Sequence, residues 1–220
     1  MTAAAVIFSD LGEAGLLCEH PPGPLDLMRQ RRIWAVARAL AGTPGVGELV
    51  PGMNNLLVLF DPLACDPDDL RARIAALWQA PVPMADAGRL VEVPVIYGGD
   101  GGPDLAALAD RAGLDPVAFA QAHAGADYTV YALGAQPGFG YLGGLPDRLA
   151  TPRRAVIHPR VPAGSVIIGG AQTAVQAATT PSGWHMIGRT ELRCFDPGAD
   201  PPALLAPGDR VRFRVLEVLA

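Results

Sequence analysis

The side chains best suited to grip an anion or an amide gather in one stretch of this 220-residue sequence, from Gln136 to Thr190. Three blocks carry them: QPGFGYLGGLPDRLATPRR (136–154), RVPAGSVIIGGAQT (160–173) and PSGWHMIGRT (181–190). A guanidinium fork meets a carboxylate or phosphate with two parallel hydrogen bonds, and a glutamine amide offers a donor and an acceptor to a lactam. On that chemistry Arg153, Arg154, Gln172, Thr173 and Arg189 are candidates to line a pocket. The glycines and prolines between them permit close approaches and rigid turns, which suits a preformed pocket and also suits ordinary turns of a β-rich domain.

Gln172 and Thr173 follow Gly169-Gly170-Ala171 at the approach to a strand. The amide of Gln172 fits a lactam or carboxylate, and the hydroxyl of Thr173 fits a phosphoryl oxygen; the alternative is that Gln172 satisfies neighbouring backbone. Adjacent residues on an extended chain point to opposite faces, so one of Arg153 and Arg154 faces solvent, and Arg153 is assigned inward. Phe139 and Tyr141, two apart, share one side of an extended segment as an apolar wall, while Trp184 is either packing or a ligand platform. Arg189 suits an anion or a surface ion pair. His123 ends a helix and is a candidate general acid or base, although a lone helical histidine is commonly structural. The catalytic candidates are therefore Gln172, Thr173, Arg153 and His123, and the substrate-binding candidates Phe139, Tyr141, Trp184 and Arg189. No grouping of His, Cys, Asp and Glu has metal-ligand spacing, so no metal ligand set is expected from the chain itself.

Other chemistries are excluded by composition. All 17 basic residues are arginine, so neither a phosphate-loop lysine nor a Schiff-base lysine comes from this polypeptide. Any ATP chemistry must use arginines, backbone amides or another polypeptide. The net charge of -5 argues against a nucleic-acid partner. The longest apolar runs, such as 56–60, fall far short of a bilayer span, and residues 1–8 lack the basic start of a signal peptide, so a soluble cytoplasmic protein with no membrane partner is expected. Cys18, Cys65 and Cys194 are widely separated and odd in number, which suits buried or indifferent thiols.

Two domains must position these residues. Residues 4–19 alternate short apolar runs about Leu11-Gly12-Glu13-Ala14-Gly15 and predict a hairpin. Ile33, Val36, Ala37 and Leu40 recur at helical spacing after Asp26, strands follow at 46–50 and 56–60, and a second helix from Asp66 sets Leu70, Ile74, Leu77 and Trp78 on one face. With 89–95 as a closing strand, this order predicts a ferredoxin-like α+β sandwich over residues 1–93. Gly98-Gly99-Asp100-Gly101-Gly102 reads as a flexible linker ahead of two short helices, at 105–112 and from Asp115. Strand candidates at 128–133, 165–168, 173–177, 185–187 and 211–218, set between long Gly/Pro turns, predict a β-barrel or sandwich for residues 94–220.

In this order the three blocks resemble the family variously called 5-oxoprolinase B-subunit, kinase inhibitor KipI or allophanate hydrolase subunit 1. VPGMNNLLVLFDP (50–62), VPVIYGGDGGPDL (93–105), HAGADYTVYALG (123–134) and CFDPGADPPALLAPGDRVRF (194–213) extend the resemblance over essentially the whole chain. The resemblance implies that the second domain is a cyclophilin-like β-barrel and that His123 is a histidine the family commonly carries. It implies the B-subunit of an ATP-dependent 5-oxoprolinase: a C-subunit homologue joins in activating 5-oxoproline by phosphorylation, and an A-subunit homologue completes ring opening to L-glutamate. ATP and Mg2+ would be bound partly or wholly by the partner. The family's other names imply a regulatory module that docks on a sensor histidine kinase, or one component of an ATP-dependent amide or urea-type enzyme. The chain departs from its relatives around the pocket blocks, with Ala135 in place of a phenylalanine and Ser182 in place of a glycine.

Overall fold

The computed structural model describes residues 5–82 and 88–219. They divide into two units, Met1–Asp86 and Ala87–Ala220.

The first unit runs β1 (Ile7–Leu11), β2 (Gly15–Glu19), α1 (Leu27–Leu40), β3 (Val46–Pro51), β4 (Asn55–Phe60) and α2 (Pro67–Gln79). Each helix starts where its sequence says it should. The carboxylate of Asp26 accepts from the backbone N–H groups of Met28 and Arg29, and that of Asp66 accepts from Asp68 and Asp69, with Pro67 in the first turn. These caps satisfy donors that a helix leaves unpaired at its start. The apolar stripes then bury Ile33, Val36 and Leu40 with Leu70, Ile74 and Trp78 against Leu16, Leu56 and Val58 of the sheet. Buried Gln30 donates to the Gly52 carbonyl (2.9 Å) and accepts from the Asn54 N–H (3.0 Å), pinning the β3–β4 turn in which Asn54 adopts a φ of 60°. Asparagine tolerates that left-handed conformation better than most residues.

The sheet order is β1-β2-β4-β3, antiparallel throughout. The strand expected to close this sheet near residue 93 does not belong to it. That segment is β5 (Leu90–Gly98), which lies wholly in the second unit, so the division falls before it and the β1–β2 hairpin supplies the sheet's outer pair instead. A strand beginning at Leu90 is apolar enough for either sheet, and its pairing with the chain's last strand decides the matter.

The second unit continues with a 3-10 turn at Gly99–Gly101, α3 (Leu105–Arg111), α4 (Pro116–Ala124), β6 (Tyr128–Leu133), β7 (Gly140–Gly143), β8 (His158–Val161), β9 (Ser165–Gly169), β10 (Gln172–Val175), β11 (Thr180–Ser182), β12 (His185–Arg189) and β13 (Arg210–Leu219). Seven of these strands close a barrel in the order β10-β7-β6-β13-β5-β12-β9. Strands β5 and β13 pair in parallel from Leu90↔Arg210 to Gly98↔Leu219, and the other barrel pairs are antiparallel. Val93, Val95, Tyr97, Val130, Val166, Ile168 and Phe213 fill the interior together with Phe119 of α4. The residues between them point outward, as the period of a strand requires. Ile167, Ala174 and Met186 thus form a smaller outer core with Val161, Phe139 and Trp184, covered by the β8–β11 ribbon.

The glycine run is a tight turn within the barrel unit, in place of the expected linker. Gly98 and Gly99 have φ of 76° and 55°; a Cβ on Gly98 would lie 1.9 Å from the Leu219 carbonyl oxygen, and one on Gly102 would lie 2.4 Å from the Ile187 backbone. Glycine is required there because two backbones approach too closely for any side chain. Among the described residues, no helix is long and apolar enough to cross a membrane.

Candidate functional site

On the outer face of the barrel, Phe139, Tyr141 and Trp184 make the apolar wall of a cavity of about 340 Å³. Their rings meet edge to face: centroids lie 4.9 Å apart for Phe139–Tyr141, 5.9 Å for Phe139–Trp184 and 6.2 Å for Tyr141–Trp184. This arrangement brings the positive edge of one ring to the negative face of the next. The floor under Trp184 is Gly169, where a Cβ would sit 2.5 Å from the indole. Arg153 completes the wall, its guanidinium carbon 5.8 Å from the Trp184 ring centroid. Arg153, expected to be the inward member of the Arg153–Arg154 pair, is instead the more exposed one, because Arg154 is drawn in by Asp104 while both line the cavity; Arg153 pairs with no carboxylate among the described residues, so its fork remains available to an anion.

Arg154 also lines this cavity, but its guanidinium is committed to Asp104 at 2.5 Å. The other oxygen of Asp104 accepts from the Met186 N–H at 2.9 Å. The Arg154 N–H donates to Gly183 (2.7 Å), and His185 Nε2 donates to the Pro152 carbonyl (3.0 Å). Residues 152–154 are thereby fixed to β12 and to the start of α3, and Arg153 is left to face the cavity. No sequence signal pointed to Asp104 in this role. An aspartate just before a helix reads as a cap, yet here it makes no capping hydrogen bond and reaches across to β12 and Arg154.

Two further glutamines belong to the site without a motif to mark them. Gln136 donates to Thr180 Oγ1 (2.7 Å) and accepts from the Ala178 N–H (2.8 Å), while Gln176 donates to the Ala178 carbonyl (3.1 Å) and to Thr180 Oγ1 (2.7 Å). Both line the cavity and brace the segment that leads into β11. Their signal was the turn-rich context alone, which does not reveal that Gln136 reaches Ala178 and Thr180 more than forty positions away or that Gln176 shares the Thr180 hydroxyl with it.

Thr173 and His123 lie elsewhere, fully buried inside the barrel. The Thr173 hydroxyl donates its one proton to the Ile167 carbonyl (2.9 Å), so at 2.9 Å from His123 Nε2 it must accept, and Nε2 carries the ring proton. Nδ1 is then the acceptor, and the Tyr97 hydroxyl donates to it at 2.8 Å. Tyr128 donates to the His123 carbonyl at 2.8 Å. This chain of hydrogen bonds ties α4 to β5, β6, β9 and β10. Burial lowers the pKa of His123 to about 3 and raises those of Tyr97 and Tyr128. A neutral histidine with every polar atom paired holds the plug of the barrel and has no contact with the aromatic cavity.

Gln172 has the opposite facing to Thr173. Its backbone pairs with Gly169, the floor residue under Trp184, and its Nε2 is excluded from solvent with no hydrogen-bond partner among the described residues. It is not part of the aromatic cavity's wall. Arg189 is also apart, in a second cavity of about 760 Å³, where it pairs with Glu191 at 2.9 Å. The structure thus brings together Arg153, Phe139, Tyr141 and Trp184 and places Gln172, Thr173, His123 and Arg189 outside that group. Among the described residues, no group of three or more His, Cys, Asp or Glu side chains is placed to hold a metal ion.

Residues 6–205 match the family described as carboxyltransferase domain, subdomain C and D. A 5-oxoprolinase B-subunit of Escherichia coli O157:H7 is 46% identical over 206 residues, which cover 92% of this chain and 93% of that protein. Among solved structures, TTHA0988 superposes with a TM-score of 0.79 at 36% identity over 92% of this chain, which spans only 40% of that longer chain. A conserved uncharacterized protein of Pyrococcus horikoshii, PH0987, gives a TM-score of 0.57 at 36% identity, covering 96% of this chain and 98% of its own.

Proposed function

The chain belongs to the carboxyltransferase-domain family, subdomain C and D, and from that membership we propose that it is the B-subunit of an ATP-dependent 5-oxoprolinase. In this reading it acts with a C-subunit homologue to activate 5-oxoproline by phosphorylation, and an A-subunit homologue completes ring opening to L-glutamate. An unactivated amide is a poor electrophile, and a phosphorylated lactam oxygen is a good leaving group.

The observation that carries the proposal is the aromatic cavity with one unpaired guanidinium. A five-membered lactam bearing one carboxylate presents flat apolar faces and a planar anion. Phe139, Tyr141 and Trp184 offer ring faces and edges to the first, and Arg153 offers a bidentate fork to the second. The ion pair of Asp104 with Arg154 holds this wall still, and holding a substrate in one orientation removes entropy that the reaction would otherwise have to lose.

The same cavity does not suit ATP with Mg2+. Its wall contains no carboxylate to share a magnesium ion, and the chain contains no lysine. No step is therefore assigned to nucleotide or metal in this cavity; both belong to a partner protein or to another face of this chain. Val156 and Ile157, 79% and 60% exposed, sit in the loop that carries Arg153 and support a partner docking there.

The test is reconstitution of the chain with its A-subunit and C-subunit homologues. ATP-dependent release of glutamate from 5-oxoproline is expected, with strong loss in Arg153→Met. Absence of turnover by the complete wild-type complex would overturn the proposal.

A further inference from the structure

The wall of the aromatic cavity holds one polar atom that the function proposed above leaves unused. Gln176 is only 2% exposed, yet it lines that cavity, so the little of it that is open faces the space a substrate would fill. Its backbone is fixed to the start of β9: the N–H donates to the Ser165 carbonyl and the carbonyl accepts from the Gly164 N–H, both at 2.8 Å. Its side-chain nitrogen spends both hydrogens, one on the Ala178 carbonyl (3.1 Å) and one on Thr180 Oγ1 (2.7 Å). A carbonyl can only accept, so the atom that meets Ala178 is the nitrogen, and the amide has a single orientation. Oε1 is then an acceptor with no hydrogen-bond partner among the described residues, and unlike Nε2 of Gln172 it is not shut off from solvent. Water satisfies it while the cavity is empty; a ligand that displaces that water without supplying a donor loses affinity.

The other polar side chains of this wall make no such demand. Arg153, Arg154 and Trp184 carry donors only, and the side-chain oxygen of Gln136 is already taken by the Ala178 N–H at 2.8 Å. The hydroxyls of Tyr141 and Ser182 turn to donate or accept as a ligand requires. Among the described side chains of the wall, Gln176 alone presents an open atom that can only accept. We infer that Gln176 is the residue that makes this cavity select a lactam, its Oε1 accepting the ring N–H while Arg153 holds the carboxylate. In 5-oxoproline the N–H and the carboxylate sit on adjacent ring atoms, so both can be read from one side of the ring. That leaves the carbonyl, on the other flank of the nitrogen, for the activation proposed above. The inference rests on the reading of this cavity as a lactam site and adds the group that tells a lactam from its look-alikes.

Isothermal titration calorimetry on the full chain, without nucleotide, tests it with 5-oxoproline and with the corresponding lactone, in which a ring oxygen replaces the N–H. Wild type is expected to bind the lactam at least about tenfold more tightly, the loss that follows when a buried acceptor is left unpaired. Gln176→Met should bring the two affinities within about twofold of each other. Gln136→Met removes the neighbouring brace but keeps the Gln176 oxygen, so it should weaken both ligands alike and preserve their ratio. Should Gln176→Met not fold, Gln176→Asn, which draws the amide back by one carbon, should likewise lose the preference. No saturable binding of 5-oxoproline, equal wild-type affinities for the two ligands, an unchanged ratio in the Gln176 variant, or a ratio lost equally in Gln136→Met would each overturn the inference. A lactam preference that depends on Gln176, in a chain whose complete complex opens no 5-oxoproline, would sink the proposed function and leave this inference standing. Turnover by the complex with an unchanged preference in the Gln176 variant would do the reverse.

Discussion

Asp104 and Arg154, fifty positions apart, form a 2.5 Å ion pair that ties the start of α3 to the loop carrying the cavity's free arginine. Because the second carboxylate oxygen also accepts from the Met186 N–H, one side chain fixes both walls of the loop's attachment.

Asp104→Asn keeps an acceptor for Met186 and removes the charge that holds Arg154. Loss of a hydrogen bond to a charged group costs about 1.5–3 kcal/mol. The midpoint of urea unfolding should fall accordingly, and in the reconstituted complex KM for 5-oxoproline should rise more than kcat falls. Unchanged stability together with unchanged KM would show that the pair positions nothing.

Arg153→Lys separates bidentate recognition from simple charge. A lysine retains the positive charge beside Trp184 but lacks the planar fork, so it should recover only part of the activity that Arg153→Met loses. The melting temperature of both variants should stay near wild type, since Arg153 is exposed and has no carboxylate partner among the described residues. Full activity in Arg153→Met would remove this residue from the site.

Gly169→Ala is a direct probe of the cavity floor, because the added carbon would meet the indole of Trp184 at 2.5 Å. Overpacking of this kind costs about 1–3 kcal/mol, and the displaced ring should report it as a shifted tryptophan emission. An unshifted spectrum with full stability would mean that the ring has room to move.

Gln172→Met tests whether the glutamine has a partner within the chain. Its Nε2 is buried without one among the described residues, so replacing the amide by a thioether of similar shape should leave stability unchanged or raise it slightly. A loss of about 1–3 kcal/mol would show instead that the amide satisfies buried backbone.

Stability should depend on pH through His123. Its folded pKa, lowered by burial to about 3, lies below the ordinary value of 6.5. Between those values the unfolded chain binds a proton that the folded chain does not, so stability falls as pH drops from about 6.5 towards 3, by up to about 1.4 kcal/mol per pH unit. Tyr97, Tyr128 and Thr173, which surround the ring, remain uncharged throughout that window. His20, lowered chiefly by burial, acts in the same direction. Urea titrations from pH 7 to pH 4 on wild type and His123→Gln measure the effect, and an equal slope in the variant would remove His123 as its source.

Local structure was legible in the sequence because local forces make it. Asp26, Asp66 and Asp115 cap the helices that follow them through side-chain contacts spanning two or three residues, and the apolar stripe of each helix needs only its own period. Phe139 and Tyr141, two apart, fell on one wall as the period of an extended chain requires. Facing beyond one element was another matter. Gln172 and Thr173 read as a pair serving one site, but adjacent strand residues face opposite ways, and the partner strands decide which points into the barrel: Thr173 meets His123, fifty positions away, while Gln172 turns outward. The allegiance of β5 was settled by β13, which pairs with it across some 120 positions, and the glycine run that looked like a linker is a turn because Leu219 and Ile187 leave no space for side chains. Such pairings depend on closing long loops and on packing the whole chain at once, and no window of sequence holds that information. Residue types announced an anion-binding chemistry, and only the tertiary structure decided that Arg153 serves the aromatic cavity, Arg154 serves Asp104 and Arg189 lines a different cavity.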